Sequence, residues 1–157
     1  MSEILSMKSL RAAVANCSID TVIVAFPDMQ GRLMGKRFHA KFFVDNAWEE
    51  THCCNYLIAT DLEMETVDGY ESTSWSAGYG DYVMRPDLDT LCVLPWLEGT
   101  ALVLCDLLDH NTHELVPHAP RTLLKQQLKR AADLGLAMMA ATELEFFVFR
   151  ETFETIR

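Results

Sequence analysis

The sequence has few basic residues for its acidic content. Its 157 residues include 13 lysines and arginines against 23 aspartates and glutamates, which gives a formal net charge of −10 at pH 7. Surfaces that bind nucleic acids or anionic membranes need clustered positive charge. The composition therefore argues against a nucleic acid or a membrane surface as the main partner.

Long hydrophobic runs are also missing. No stretch approaches the roughly 18–20 apolar residues that a membrane-spanning helix needs, and Glu3 interrupts the region where a secretory signal would have its apolar core. The five cysteines are an odd number without C-x-x-C spacing. This pattern favours free thiols over a disulfide framework or a zinc site. We therefore expect a cytoplasmic protein without a membrane span.

What the sequence does contain is enough hydrophobic material for a packed core, since half of its residues are hydrophobic. Met7, Leu10 and Val14 have the spacing of an amphipathic helix. Residues 67–81, rich in glycine, serine and aromatic residues, predict a long ordered loop of the kind that usually carries function. The remaining patterns predict strands over 20–28, 29–38, 90–96, 100–109 and 136–149, and helices over 40–50 and 120–135.

A polar stretch with Pro117 and Pro120 divides the chain and predicts a linker. Residues 17–110 are predicted to form a small α+β domain. Residues 115–157 are predicted to begin a second domain, and one helix with one strand cannot enclose a core. We therefore expect this second domain to be incomplete and the chain to be cut short.

Glu143 and Glu145 are the first candidates for a functional site. Residues two apart in a strand point to the same face, so both carboxylates would lie together beside the apolar run that follows them. Burial of two unpaired carboxylates is costly. Two interpretations stay open: the pair faces solvent on an edge strand, or it binds divalent cations, which prefer carboxylate oxygens and relieve the repulsion.

Four stretches, in this order and spacing, resemble the N-terminal third of the glutamine synthetase family. The family consists of ATP-dependent ligases that join an amine to the γ-carboxylate of glutamate. The stretches are "DMQGRLMGKR" (Asp28–Arg37), "GDYVMRPDLDTLCVLPW" (Gly80–Trp96), "APRTLLKQQLKRAADLGL" (Ala119–Leu136) and "TELEFFVF" (Thr142–Phe149).

The resemblance implies a β-grasp-like N-terminal domain followed by the truncated beginning of a glutamine synthetase-type α+β catalytic domain. It implies that Glu143 and Glu145 bind separate Mg²⁺ or Mn²⁺ ions, with ATP as co-substrate and a γ-glutamyl phosphate intermediate. It further implies a homo-oligomeric ring, such as a dodecamer, with active sites between subunits. The partners would be glutamate and ammonia or another amine.

Residues 67–75, "VDGYESTSW", resemble the family loop that reaches into a neighbouring subunit's active site. The resemblance makes Asp68 a catalytic residue that binds the amine and helps to deprotonate it. Tyr70 and Glu71 stand where the family has a pair of serines, which points to an amine larger than ammonia, such as a polyamine or ethanolamine. The alternative from another class is a truncated, non-catalytic member whose β-grasp domain serves as an interaction module.

Overall fold

The structure, a computed structural model, describes residues 4–76 and 78–156. A π-helical turn at Phe43–Ala47 and a 3-10 helix at Asn55–Ile58 accompany the main elements. In chain order these elements are α1 (Met7–Ala15), β1 (Thr21–Pro27), β2 (Leu33–His39), α2 (Ala40–Phe42), β3 (Thr51–Cys54), β4 (Asp81–Val93), β5 (Thr100–Asp109), α3 (Pro120–Asp133) and α4 (Phe153–Ile156).

The strands form one mixed five-stranded sheet in the order β2-β1-β5-β4-β3. The only parallel pair joins β1 to β5, and the other neighbours are antiparallel, within the part of the chain that the structure describes. A run of β-branched residues accounts for the predicted strand β1, and an apolar run accounts for β5. The prediction of a mixed helix-and-sheet fold is therefore confirmed, and no described helix is long and apolar enough to cross a membrane.

Helix α1 covers one edge of the core, as its amphipathic pattern predicts. The Oγ atom of Ser6 accepts a hydrogen bond from the backbone N–H of Ser9 at 3.0 Å and caps the helix N-terminus. Leu10 is fully buried, and Met7 and Val14 pack against the same core. The predicted helical stripe is confirmed.

The sequence of the short helical segment after β2 predicts that Phe42, Phe43 and Ala47 face the core, and this prediction is wrong for Phe42. Phe43 and Ala47 are buried, but Phe42 is half exposed and stacks on Phe38 with a centroid distance of 5.8 Å. The π-helical turn that begins at Phe43 is wider than an α-helix, which changes the direction in which successive side chains point.

The β1–β2 hairpin depends on one close backbone approach. A Cβ atom at Gly35 would collide with the carbonyl oxygen of Val24 on the paired strand. The turn itself is built by Asp28, whose Oδ1 atom accepts hydrogen bonds from the N–H groups of Gln30 and Arg32 at 2.9 and 2.8 Å. A short polar side chain that bonds to the following backbone favours this kind of turn.

Strand β4 begins nine residues earlier than predicted and runs through Pro86 and Asp87, a pair of residues that by itself favours a turn. Instead, the register between β4 and β5 shifts after Asp87, and the Oγ1 atom of Thr90 fills the irregularity. It donates to the carbonyl of Asp87 at 2.7 Å and accepts from the N–H of Leu104 at 2.9 Å. A bulge lets a proline lie inside a strand without breaking the sheet.

The prediction of a strand over 136–149 is wrong: these residues are exposed and have no regular secondary structure. A strand is stabilised by hydrogen bonds to a neighbouring strand, and no described strand pairs with this segment. Strand β3, by contrast, was not predicted; its four residues pair with the start of β4.

Helix α3 matches its predicted range closely. Pro120 stands in its first turn, and Gly135, with a φ of +75°, follows its end. Its leucine stripe, however, is uncovered: Leu124 and Leu128 are exposed, and Thr122 is the buried residue of the helix.

Candidate active site

The loop that carries Asp68 leaves β3 through the 3-10 helix and returns to β4. It lies on the surface as predicted, without regular structure between residues 67 and 80 other than turns, with residue 77 outside the described part. Its tip forms an open recess of about 490 Å³. The lining residues are Asp68, Gly69, Tyr70, Glu71, Ser74, Trp75 and Ser76.

The recess is acidic and aromatic. Asp68 and Glu71 contribute carboxylates, and no lysine or arginine of the described residues lines it. Carboxylates and aromatic faces both attract ammonium groups. The recess therefore suits a cationic amine better than an anion.

Aromatic contacts support one wall of the recess. Trp75 is 83% exposed and meets Tyr79 edge to face at a centroid distance of 6.0 Å. Tyr79 in turn meets Tyr56, which lies in the 3-10 helix, at 5.5 Å. Edge-to-face contact is a favourable arrangement for aromatic rings. The three rings therefore connect the loop tip to the body of the sheet.

Glu143 and Glu145 lie apart from this recess. Both side chains are exposed in the segment without regular structure, and neither lines the Asp68 recess. Among residues 4–76 and 78–156, no group of three or more His, Cys, Asp or Glu side chains is placed to hold a metal ion. The carboxylate chemistry of the pair fits a hard divalent cation, and further ligands would have to come from outside the described residues.

Sequence reasoning missed an ion-pair cluster at the first turn of α3. The Oδ1 atom of Asp106 on β5 accepts from Nε of Arg121 at 2.9 Å, and Lys125 approaches its Oδ2 atom to 2.8 Å. Asp87 on β4 bonds to both cations as well. The signal in the sequence is the spacing of Arg121 and Lys125, four residues apart on one helical face.

The cluster perturbs the ionisation of Asp87. Partial burial acts to raise the pKa of this carboxyl, but Lys125 and Arg121 outweigh burial and hold the pKa below its usual value. Asp87 therefore stays ionised and paired. Arg121 joins α3 to the sheet through ion pairs with Asp87 and Asp106.

A second missed contact lies behind the loop. The hydroxyl of Tyr82 lies 3.5 Å from Nε2 of His118, and Ser72 of the loop lines the same cavity as these two residues. Burial raises the pKa of Tyr82 and lowers the pKa of His118. Neutral forms of both groups are therefore favoured between the loop and the start of α3.

Comparison with known proteins shows what this arrangement resembles. Residues 117–156 match the model of the glutamine synthetase catalytic domain. Over 151 residues, 96% of the chain, the sequence is 52% identical to the gamma-glutamylethanolamide synthetase GlnA4 of Streptomyces coelicolor. Over 148 residues, 94% of the chain, it is 36% identical to a glutamate–isopropylamine ligase of a Pseudomonas species.

The chain spans 32% of the length of each of these two relatives. A solved structure of a GmaS–ADP complex superposes with a TM-score of 0.58 at 22% identity, covering 85% of this chain and 26% of that one, which shows a shared fold. The fold is thus that of glutamine synthetase-type proteins. The resemblance of this chain to the glutamine synthetase family is confirmed, and the two relatives named above are ligases.

Proposed function

We propose that the complete protein containing this chain is an ATP-dependent ligase that joins the γ-carboxylate of glutamate to an amine larger than ammonia. The observation that carries the proposal is the 52% identity, along 96% of the chain, to a gamma-glutamylethanolamide synthetase. The similarity to a glutamate–isopropylamine ligase points to the same class of substrate. The non-catalytic alternative predicts no such ligation.

The chemistry proceeds in two displacements. The γ-carboxylate of glutamate attacks the terminal phosphorus of ATP and releases ADP, leaving γ-glutamyl phosphate. The nitrogen of the amine then attacks the acyl carbon, and the carbon–oxygen bond to phosphate breaks. An ammonium group must lose a proton before its nitrogen can attack, so a base beside it is required.

In this proposal Asp68 binds the ammonium group and accepts its proton. The role is supported by the open acidic recess in which Asp68 lies with Glu71 and by the absence of described basic residues in its lining. Tyr70 and Trp75 supply apolar and aromatic surface for the carbon chain of the amine. Tyr70 and Glu71, which stand where the family has a pair of serines, support a substrate larger than ammonia.

Glu143 and Glu145 are proposed to hold Mg²⁺ or Mn²⁺. When bound, these cations neutralise the phosphate charge of ATP during phosphoryl transfer. The two carboxylates supply hard oxygen ligands, as such ions require. Exposure of both side chains in the described chain leaves them accessible to ligands from elsewhere in the complete protein.

We further propose a β-grasp architecture for the N-terminal domain and a cytoplasmic homo-oligomeric ring for the complete protein. The recess of Asp68 is separate from Glu143 and Glu145, which supports an active site completed by a second subunit. Residues 17–110 and 115–157 stay our predicted domain limits.

An amine screen tests the proposal directly. The complete protein is incubated with Mg-ATP and glutamate, and phosphate release is measured with ammonium, ethanolamine, isopropylamine or a diamine. We expect a small alkylamine to stimulate release more than ammonium does. A preference for ammonium would contradict the proposal that the substrate is a larger amine. Phosphate release that no amine stimulates would contradict the proposed ligase activity and favour the non-catalytic alternative.

A further inference from the structure

Arg32 makes contacts that its position in a hairpin turn does not suggest. Its Nε atom donates to Oδ2 of Asp28 at 2.6 Å, and Asp28 is only 1% exposed. Across the fold, Nη1 donates to the carbonyl of Leu62 at 3.0 Å and Nη2 donates to the carbonyl of Asp61 at 2.8 Å. A planar guanidinium spreads its donors over three nitrogens and reaches two successive carbonyls and a carboxylate at once, whereas a lysine presents a single nitrogen.

The segment that Arg32 holds is a closed turn immediately before Asp68. The N–H of Asp61 donates to the carbonyl of Glu65 at 2.9 Å, and Oδ1 of Asp61 accepts from the N–H of Glu65 at 3.0 Å. The N–H of Val67 then donates to the carbonyl of Ala59 at 3.0 Å. The backbone is therefore fixed up to the residue that precedes Asp68.

Asn55 holds the other end of the same loop. Its Oδ1 atom accepts from the hydroxyl of Thr73 at 2.9 Å and from the N–H of Gly80 at 3.2 Å, while its own N–H donates to the carbonyl of Gly80 at 2.9 Å. Thr73 is only 2% exposed. Buried hydrogen bonds of this kind are costly to leave unmade, so the loop returns to β4 along a fixed path.

We propose that Arg32 and Asn55 are positioning residues that hold the two ends of the Asp68 loop and thereby shape the amine-binding recess. The inference rests on the proposed function for its link to the amine, whereas the anchoring itself rests on the contacts above. Among the described residues, loop residues alone line the recess, so its shape follows the path of the loop. A recess built on an anchored loop binds its ligand without first having to order the backbone.

The first test replaces Arg32 by lysine in the complete protein. Arg32→Lys keeps the positive charge beside Asp28 but replaces three separately placed donor nitrogens by one, which should weaken the hold on the two carbonyls. We expect amide hydrogen exchange over residues 61–68 to accelerate roughly tenfold and the KM for the amine to rise roughly tenfold, with the KM values for glutamate and ATP unchanged. The control is Arg37→Lys, the same change at an exposed position of the same hairpin.

The second test concerns the other anchor and keeps the loop backbone intact. Thr73→Val removes the hydroxyl that donates to Asn55 and preserves the side-chain shape, whereas Thr73→Ser preserves the hydroxyl. We expect Thr73→Val to speed exchange over residues 69–76 and to raise the KM for the amine. In Thr73→Ser, the exchange rate over residues 69–76 and the KM for the amine should stay close to those of the unchanged protein.

The two readouts separate the possible failures. Unchanged exchange in Arg32→Lys and Thr73→Val would overturn the anchoring. Faster exchange with an unchanged KM for the amine would overturn the link between the anchors and the recess. If the unchanged protein shows no amine-dependent ligation, the proposed function fails and the link to amine binding fails with it, while the exchange data still decide the anchoring.

Discussion

The Nε atom of Arg121 lies 2.9 Å from Oδ1 of Asp106, and this hydrogen bond joins the first turn of α3 to β5. The side chain of Asp106 is 10% exposed and that of Arg121 is 18% exposed. Lys125 binds the same carboxylate from the next turn of the helix. The contact holds α3 against the sheet.

Removal of the charge at Asp106 is expected to destabilise the protein. In Asp106→Asn, two cations lose an anionic partner in a poorly hydrated site, so the free energy of unfolding should fall by about 1–3 kcal/mol. Urea denaturation measures the change. Asp133→Asn is the matched control because its partner Lys129 is 75% exposed, and an exposed pair contributes about 0–1 kcal/mol. Equal losses in the two variants would contradict the role of Asp106.

Acid should weaken the same contact through Asp87. Because the folded-state pKa of Asp87 lies below its unfolded value, the unfolded chain binds more protons between the two values, and stability rises with pH there. The contribution is fully present above the unfolded pKa, roughly 3.9, and is lost as the pH falls through the folded pKa. In urea denaturation between pH 6 and pH 2, the free energy of unfolding of Asp87→Asn should fall less with decreasing pH than that of the unchanged protein. An unchanged acid profile would contradict this assignment.

Replacement of Asp68 should impair amine use in the complete protein. Asp68→Asn keeps the size of the side chain but removes the anion and the base, and loss of a general base typically lowers the rate by about 10²–10⁴-fold. We expect a lower kcat and a higher KM for the amine, with the KM for glutamate unchanged. Glu71→Gln, which alters the same recess, should change the KM for the amine with little effect on kcat. Full activity of Asp68→Asn would refute the assignment.

Glu143 and Glu145 should set the metal requirement. In the complete protein, Glu143→Gln or Glu145→Gln replaces an anionic ligand by a neutral one and should raise the Mn²⁺ concentration for half-maximal activity by roughly tenfold or more. Titration of activity with Mn²⁺ measures the effect. The control is Glu151→Gln, an exposed carboxylate of the same part of the chain. An identical Mn²⁺ requirement in all three variants would contradict the proposal that Glu143 and Glu145 bind the metal ions.

Gly35 should tolerate no side chain. Gly35→Ala places a Cβ against the backbone of Val24 in the paired strand, so the hairpin must shift, and the free energy of unfolding should fall by about 2–4 kcal/mol. Gly31→Ala is the control, because its Cβ would meet no atom within 4 Å. The left-handed backbone conformation at this position should lower the free energy of unfolding by only about 1 kcal/mol. Thermal or urea denaturation separates the two variants.

Local patterns predicted most of the secondary structure correctly. The spacing of Met7, Leu10 and Val14 predicted α1, a β-branched run predicted β1, an apolar run predicted β5, and Pro120 with Gly135 bounded α3. The errors arose where pairing or packing overrides local preference. Pro86 suggested a turn, but the side chain of Thr90 stabilises a bulge within β4 instead.

The candidate site divides in the same way. Asp68 and the acidic pair Glu143 and Glu145 were chosen from the residues and a family resemblance, and their roles stay predictions. The contacts of Arg32 could not be predicted, because its carbonyl partners at Asp61 and Leu62 lie about thirty residues away and have no side-chain signature.

The sequence by itself determined the acidic character of the chain, most of its helices and strands, and its resemblance to the glutamine synthetase family. These depend on composition, on periodicity and on ordered motifs, which are local or linear properties. Only the tertiary structure decided which carboxylates meet which cations and how the Asp68 loop is held. Asp106 with Arg121, and Asn55 with Thr73, come together because distant segments pack on one sheet, and such contacts follow from the fold as a whole.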